Sequence, residues 1–180
     1  SHDSRRRLPR KSPQQHHLQT TMATHLVVKT ELGTIKLRLR PDVAPLTVAH
    51  VTKLAPLLDG CCFYRSDFVI QCGLQRSDGS AVACPLKPIP VNETKKPGTV
   101  VQSNVRGSAA FGHWDVPDAG CSDWFINLKD NPHLDDAYGG YCVFAMVDAG
   151  DASSFDTMAA IAAAVADGGA RPTINYVALE

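Results

Sequence analysis

The sequence predicts a mainly β protein, a barrel of short strands with two helices set against it. Three observations carry this. Short apolar segments alternate with polar residues at a period of two, as in Ile35, Leu37 and Leu39 against Lys36, Arg38 and Arg40. Only two stretches, 44–58 and 153–166, place apolar residues at helical spacing. No segment is repeated, and many short strands with two helices argue for a barrel with helical plugs.

Taken in order, 25–30 and 34–40 form a hairpin turning near Gly33, with one buried face and one wet face, and Pro41 stops it. Pro45 suits the first turn of a helix carrying Val48, Val51, Leu54 and Leu58, which Pro56 ends or kinks. After 61–73 comes a long irregular segment, 74–96, punctuated by Gly79, Pro85, Pro88 and Pro90. Its Asn92-Glu93-Thr94 sequon is expected to be silent in an intracellular protein. Residues 98–103 read as a strand, 104–122 as a glycine-containing loop, and 123–127 as a short strand with Trp124, Phe125 and Ile126. A turn-like segment around Leu134 leads into a buried strand, 141–147. The helix at 153–166 has a serine N-cap, buries Phe155, Met158, Ile161 and Val165, and stops at Gly168-Gly169. The last strand, 172–179, turns Ile174, Tyr176 and either Ala178 or Leu179 inward.

With 180 residues, 44% of them apolar, the chain suits one domain, placed at 24–180. Residues 1–23 read as a disordered basic extension without the apolar run of a signal peptide or membrane helix. Five of the 18 Lys and Arg residues lie in its first 21 positions against one acidic residue. That leaves 13 basic and 17 acidic residues for the domain, which excludes a whole-domain nucleic-acid surface. Only the RRRLPRK tail offers a nucleic-acid or nuclear-targeting reading, so the expected location is cytoplasmic, or nuclear through that tail. The six cysteines, with no CxxC pair, read as reduced thiols, four of them in apolar surroundings; no metal or cofactor is assigned. A metal-hydrolase reading would rest on His133-Leu134-Asp135-Asp136, but no nucleophile motif accompanies it.

The chemistry concentrates in 61–73, CCFYRSDFVIQCG. Arg65 sits among aromatic and apolar neighbours. Alternation places Phe63 and Arg65 on one face of a strand, Val69 and Gln71 on one face of the next, and Ser66-Asp67 at the turn. Arg65, Phe68, Val69 and Gln71 then converge. The plain alternative is an arginine laying its stem along apolar surface with its head in water.

The order of motifs resembles a divergent cyclophilin from about His25 to Glu180. It comprises LGTIKLRL, APLTV, FYR followed by FVIQCG, VNE before GTV, the Ser103-Asn104 pair, CSDWFIN, HLD, GYCVF, and a final helix and strand. The resemblance implies an eight-stranded antiparallel closed barrel capped by two helices, and peptidyl-prolyl cis–trans isomerase activity without cofactor. It implies Arg65 as the catalytic arginine, with Phe68 and Gln71 beside it. Val69, Phe125 and Leu134 match pocket walls, Asn104 a residue whose backbone grips substrate, and Tyr141 a further binding position. Ser103 replaces the usual Ala of an Ala-Asn pair, and His133 the tryptophan of cyclosporin contact. The implied partners are proline-containing peptides or proteins, with weak cyclosporin binding and a monomeric state.

Two departures bear on activity. The connection from Arg65 to Phe68 is two residues shorter than usual in the family. Asp123 replaces a glutamine and is expected to pair with Arg65, holding it away from substrate. The alternative function is therefore a proline-peptide-binding scaffold that lacks turnover.

Overall fold

The computed structural model describes residues 22–89, 92–95, 101–113 and 120–180. The basic segment 1–21 and positions 98–100 of the expected strand lie outside the described residues. The strands are β1 (His25–Thr30), β2 (Gly33–Leu39), β3 (Cys62–Ser66), β4 (Val69–Gly73), β5 (Ser108–Phe111), β6 (Trp124–Asn127), β7 (Val143–Val147) and β8 (Ile174–Leu179). The helices are α1 (Pro45–Leu54) and α2 (Ala152–Gly168). All the strand pairs are antiparallel, in the order β3-β4-β6-β5-β7-β2-β1-β8. A bridge from Cys62 to Thr173 links the two edges, supported by Phe63 N–H donating to the Pro172 carbonyl at 3.0 Å. The edge strands β3 and β8 thus meet only over this short stretch, and the barrel is nearly closed.

The core follows from the period-two pattern. Leu26 and Val28 of β1 and Ile35 and Leu37 of β2 are fully buried, while Lys36 and Arg38 face solvent. Met158 and Ile161 press α2 onto β2, β3 and β4. The α-helix ends at Leu54, as expected of Pro56, and a 3-10 turn, Ala55–Leu58, with Pro56 in its second position continues the chain and buries Leu58.

Four expectations need correction. Residues 101–103 are not a strand, although 98–103 is rich in valine. β5 lies inside the expected loop, because Ala109-Ala110 carries almost no intrinsic strand signal. Pairing with both β6 and β7 imposes its conformation, and both alanines are fully buried. The cap of α2 is Asp151, whose carboxylate accepts from Ser154 N–H at 3.0 Å and Ser154 Oγ at 2.6 Å. Tyr176 faces outward, 44% exposed, because the β1–β8 register shifts between Lys29 and Thr30 and the phase of β8 changes; Val177 packs on the core instead.

Helix α1 has no cap of its own, since Ala44 offers no side-chain acceptor. Glu93 supplies it from the long loop. One carboxylate oxygen accepts from Leu46 N–H at 3.0 Å, the other from Thr47 N–H and Thr47 Oγ, both at 2.8 Å. The negative group sits on the positive end of the helix, and Glu93 is only 2% exposed.

Glu93→Ala is expected to lower unfolding free energy by about 2 kcal/mol, as measured by urea denaturation, because it orphans one buried and one partly buried backbone donor. Asp151→Ala is expected to cost about 1 kcal/mol at neutral pH. The Ser154 hydrogen bonds hold the Asp151 carboxyl below its ordinary value. Its contribution is therefore present above the unfolded carboxylate range of about pH 4, and it is lost as pH falls through the lower folded value. The gap between wild type and variant should close in acid.

Candidate active site

Strands β4, β6, β5 and β7 are apolar on both faces. Ile70, Cys72, Trp124, Ile126, Ala109 and Phe144 fill the barrel, whereas Val69, Phe125, Ala110 and Val143 form a second cluster outside it. Phe68, Leu134, Tyr141 and Met146 pack over this outer cluster. A cavity of about 810 Å³ opens here, and Arg65, Phe68, Val69, Gln71, Phe125, His133, Leu134 and Tyr141 all line it. Eight of the ten expected site residues are thus brought together.

The strand reading at Arg65 needs one correction. Phe63 pairs with Cys72 and Arg65 with Gln71, so Tyr64 is an extra residue in β3. Phe63 and Arg65 therefore do not share a face. Phe63 enters the core edge-on to Trp124, ring centroids 6.4 Å apart, while Tyr64 and Arg65 both turn to the cavity.

Arg65 is held on two sides. Its Nε and Nη2 donate to Asp67 Oδ2 at 2.9 and 2.6 Å, and its Nη1 donates to Gln71 Oε1 at 2.9 Å. The guanidinium carbon lies 5.5 Å from the centre of the Phe68 ring. The short connection makes the first contact possible, since Asp67 folds over its own turn. Its N–H donates to the Val69 carbonyl at 3.0 Å, and its Oδ1 accepts from Val69 N–H at 3.1 Å.

Behind Gln71 runs a relay. Gln71 Nε2 donates to Tyr64 Oη at 2.8 Å, and Tyr64 Oη donates to Asp123 Oδ1 at 2.5 Å. Because arginine only donates, the Gln71 amide has one orientation that satisfies both neighbours. Asp123 thus does not pair with Arg65, contrary to expectation; it acts on it through Tyr64 and Gln71. Gly73 makes room for this, since a Cβ there would overlap the Asp123 carboxylate. Burial, and then the Asp123 hydrogen bond, push the Tyr64 phenol well above its ordinary value, so it stays a donor.

The remaining walls are aromatic. Phe125 meets Tyr141 edge-on at 5.6 Å, Phe68 meets His133 at 5.5 Å, and His113 stacks on Tyr141 at 4.3 Å. Tyr64 received no role in the sequence reading, and His113 was passed over. Tyr64 escapes a period-two pattern because it is the bulge residue. His113 is placed by a loop contact, His113 Nε2 to the Gly140 carbonyl at 2.8 Å, for which no local pattern exists.

Ser103 and Asn104 are the two expected residues that do not line the cavity. Asn104 is fully buried; its backbone N–H donates to Asp135 Oδ1 at 2.8 Å and its carbonyl accepts from Asn131 N–H at 2.8 Å. Ser103 Oγ bonds the same Asp135 carboxylate. Both act as scaffold for the turn at Pro132–Asp135 that presents His133 and Leu134. Asp135 accepts hydrogen bonds from both residues in that role. Among the described residues no group of three His, Cys, Asp or Glu side chains is suited to hold a metal ion, and no helix is long and apolar enough to cross a membrane.

The family described as cyclophilin type peptidyl-prolyl cis-trans isomerase/CLD matches residues 25–180. The chain belongs to the cyclophilin family. A peptidyl-prolyl cis-trans isomerase of Arabidopsis thaliana is 31% identical over 141 residues, 72% of this chain and 58% of the relative, so the chain spans 58% of that protein's length. Peptidyl-prolyl cis-trans isomerase A of Dickeya dadantii is 31% identical over 133 residues, covering 71% of this chain and 67% of the relative. The crystal structure of a Cryptosporidium parvum cyclophilin type isomerase, determined in the presence of the dipeptide Ala-Pro, matches with a TM-score of 0.62 at 16% identity. That match covers 87% of this chain and 98% of the other and speaks for the cyclophilin fold.

Spectroscopic titration at 295 nm should give wild type and Tyr64→Phe the same number of ionising tyrosines between about pH 9 and 11. One extra equivalent in the wild type would show that the Tyr64 proton leaves and that the relay is not held as described.

Proposed function

We propose that this cyclophilin is a peptidyl-prolyl cis–trans isomerase acting on Xaa–Pro bonds of peptides and proteins, with Arg65 as its catalytic residue. The observation that supports this most is a guanidinium fixed at the edge of an apolar cavity and aimed by two acceptors. Rotation about an Xaa–Pro bond must break amide resonance, a barrier of about 20 kcal/mol. No covalent step is needed.

Phe125, Leu134 and Val69 offer the proline ring an apolar seat. A substrate seated there brings its prolyl nitrogen toward Arg65. Three of the five guanidinium N–H groups are engaged by Asp67 and Gln71, which leaves two for substrate. In the twisted transition state the nitrogen becomes pyramidal and its lone pair accepts a hydrogen bond. The planar ground state accepts none, so the arginine favours the transition state. Lysine would lose the planar fork that Asp67 and Gln71 grip.

The competing reading is a proline-peptide-binding module without turnover. The Asp67 contact favours it, because the carboxylate offsets part of the charge Arg65 would bring to the transition state. Exchange spectroscopy on a proline peptide separates the two. The isomerase reading expects catalysed exchange in the wild type and a loss of about 10²–10³-fold in Arg65→Ala, with peptide binding shifts kept. Binding shifts without exchange enhancement in the wild type would select the module, and an unaltered rate in Arg65→Ala would remove the role given to Arg65. Cyclosporin binding is expected to be weak, since His133 offers less apolar surface than a tryptophan. His133→Trp should tighten it about tenfold by titration calorimetry, about 1.4 kcal/mol.

A further inference from the structure

Cys84 lies in the long loop after β4 and Cys121 just before β6, yet their Sγ atoms are 3.2 Å apart. Among the described residues this is the one pair of thiols in direct contact. Cys61, Cys62, Cys72 and Cys142 are buried in or beside the barrel, whereas Cys84 and Cys121 are both half-buried. Cys84 is flanked by exposed Ala83 and Pro85, and Cys121 borders the cavity.

The surroundings hold the two sulfurs together. Cys121 Sγ approaches the Leu86 carbonyl at 3.3 Å and Cys84 Sγ approaches the same oxygen at 3.8 Å, so both point to one spot. Ile89 N–H donates to the Gly120 carbonyl at 2.9 Å, zipping the loop against the segment that carries Cys121. His50 Nε2 lies 2.6 Å from the Cys121 carbonyl and anchors that backbone to α1. A disulfide has an S–S length of about 2.05 Å. Roughly an ångström of approach separates the thiols from a bond.

We infer that Cys84 and Cys121 form a redox-active dithiol, which a low-molecular-weight disulfide of the glutathione class converts to an intramolecular disulfide. The Cys84 thiolate attacks one sulfur of the small disulfide and expels one thiolate, leaving a mixed disulfide on Cys84. Cys121 then loses its proton, attacks Cys84 Sγ and expels the second thiolate. Two protein thiols are oxidised, and one small disulfide is reduced to two thiols. Cys84, flanked by exposed residues, is the point of entry; burial, and then the Cys84 neighbour, push the Cys121 thiol up to about 11, so the second step quickens in alkali. The bond staples the loop to the cavity wall two residues from Asp123. This site stands apart from the isomerase reading and is tested without any activity assay.

The full chain is incubated under native conditions in buffers of increasing oxidised-to-reduced glutathione ratio, then alkylated and mapped by mass spectrometry. Two of the six thiols should disappear together, cross-linked as Cys84–Cys121, and return on reduction. The cross-linked form should melt roughly 5–10 °C higher than the reduced one. Cys121→Ser should stop at a glutathione adduct on Cys84, and Cys84→Ser should form no cross-link. Retention of all six thiols in fully oxidised buffer, a cross-link through another cysteine, or no rise in melting temperature would overturn the inference.

Discussion

Closing a sheet into a barrel hides one face of every strand and leaves the other to be accounted for. Here the outer face of four adjacent strands is apolar too, which a solvated surface would not tolerate over so wide an area. The segment from Asn131 to Tyr141 covers part of it, pinned by Asp135 to Asn104 and by Asn131 to the Asn127 amide at 2.8 Å. What it leaves uncovered is the cavity. The cavity and the second apolar cluster are one feature, and both depend on the barrel register that fixes which side chains face out.

Register carries that constraint into the site. Without the extra residue at Tyr64, strict alternation would bring only one of Tyr64 and Arg65 to the outer face. The bulge presents both, and Gln71 opposite them links the two. Arg65 is positioned from three directions that differ in sequence distance. Asp67 is local, Gln71 lies across the hairpin, and Asp123 acts from the position just before β6 by way of Tyr64. A side chain fixed by near and far partners together resists the displacement of any one element.

Much of this was legible from residue order. The β1–β2 hairpin, α1 and the strands at Val69 and Trp124 follow from alternation bounded by proline and glycine. So does the convergence of Arg65, Phe68, Val69 and Gln71, since they share one hairpin. Phe125, His133, Leu134 and Tyr141 were placed through the order of motifs, because their approach depends on pairing between distant strands. What stayed hidden has a common cause. β5 is made a strand by its neighbours, the outward turn of Tyr176 by a register shift, the α1 cap by a residue 47 positions away, and the role of Tyr64 by a bulge. None of these leaves a local periodic trace. The misjudged Asp123 shows the same limit: the residue type was flagged, but only geometry shows that a phenol stands between it and the arginine.

The Arg65–Asp67 pair also sets the electrostatic character of the cavity mouth. Both side chains are about two-fifths exposed, 45% and 41%, so the mouth presents a dipole instead of a lone positive charge. A dipole's field falls off faster with distance than that of a net charge, and salt screens what remains within about 10 Å. The pair therefore adds little long-range attraction for charge of either sign, and the far field is set by the surplus of acidic over basic residues in the rest of the domain. What the mouth itself offers is short-range: apolar walls and hydrogen-bonding groups that already pair with one another.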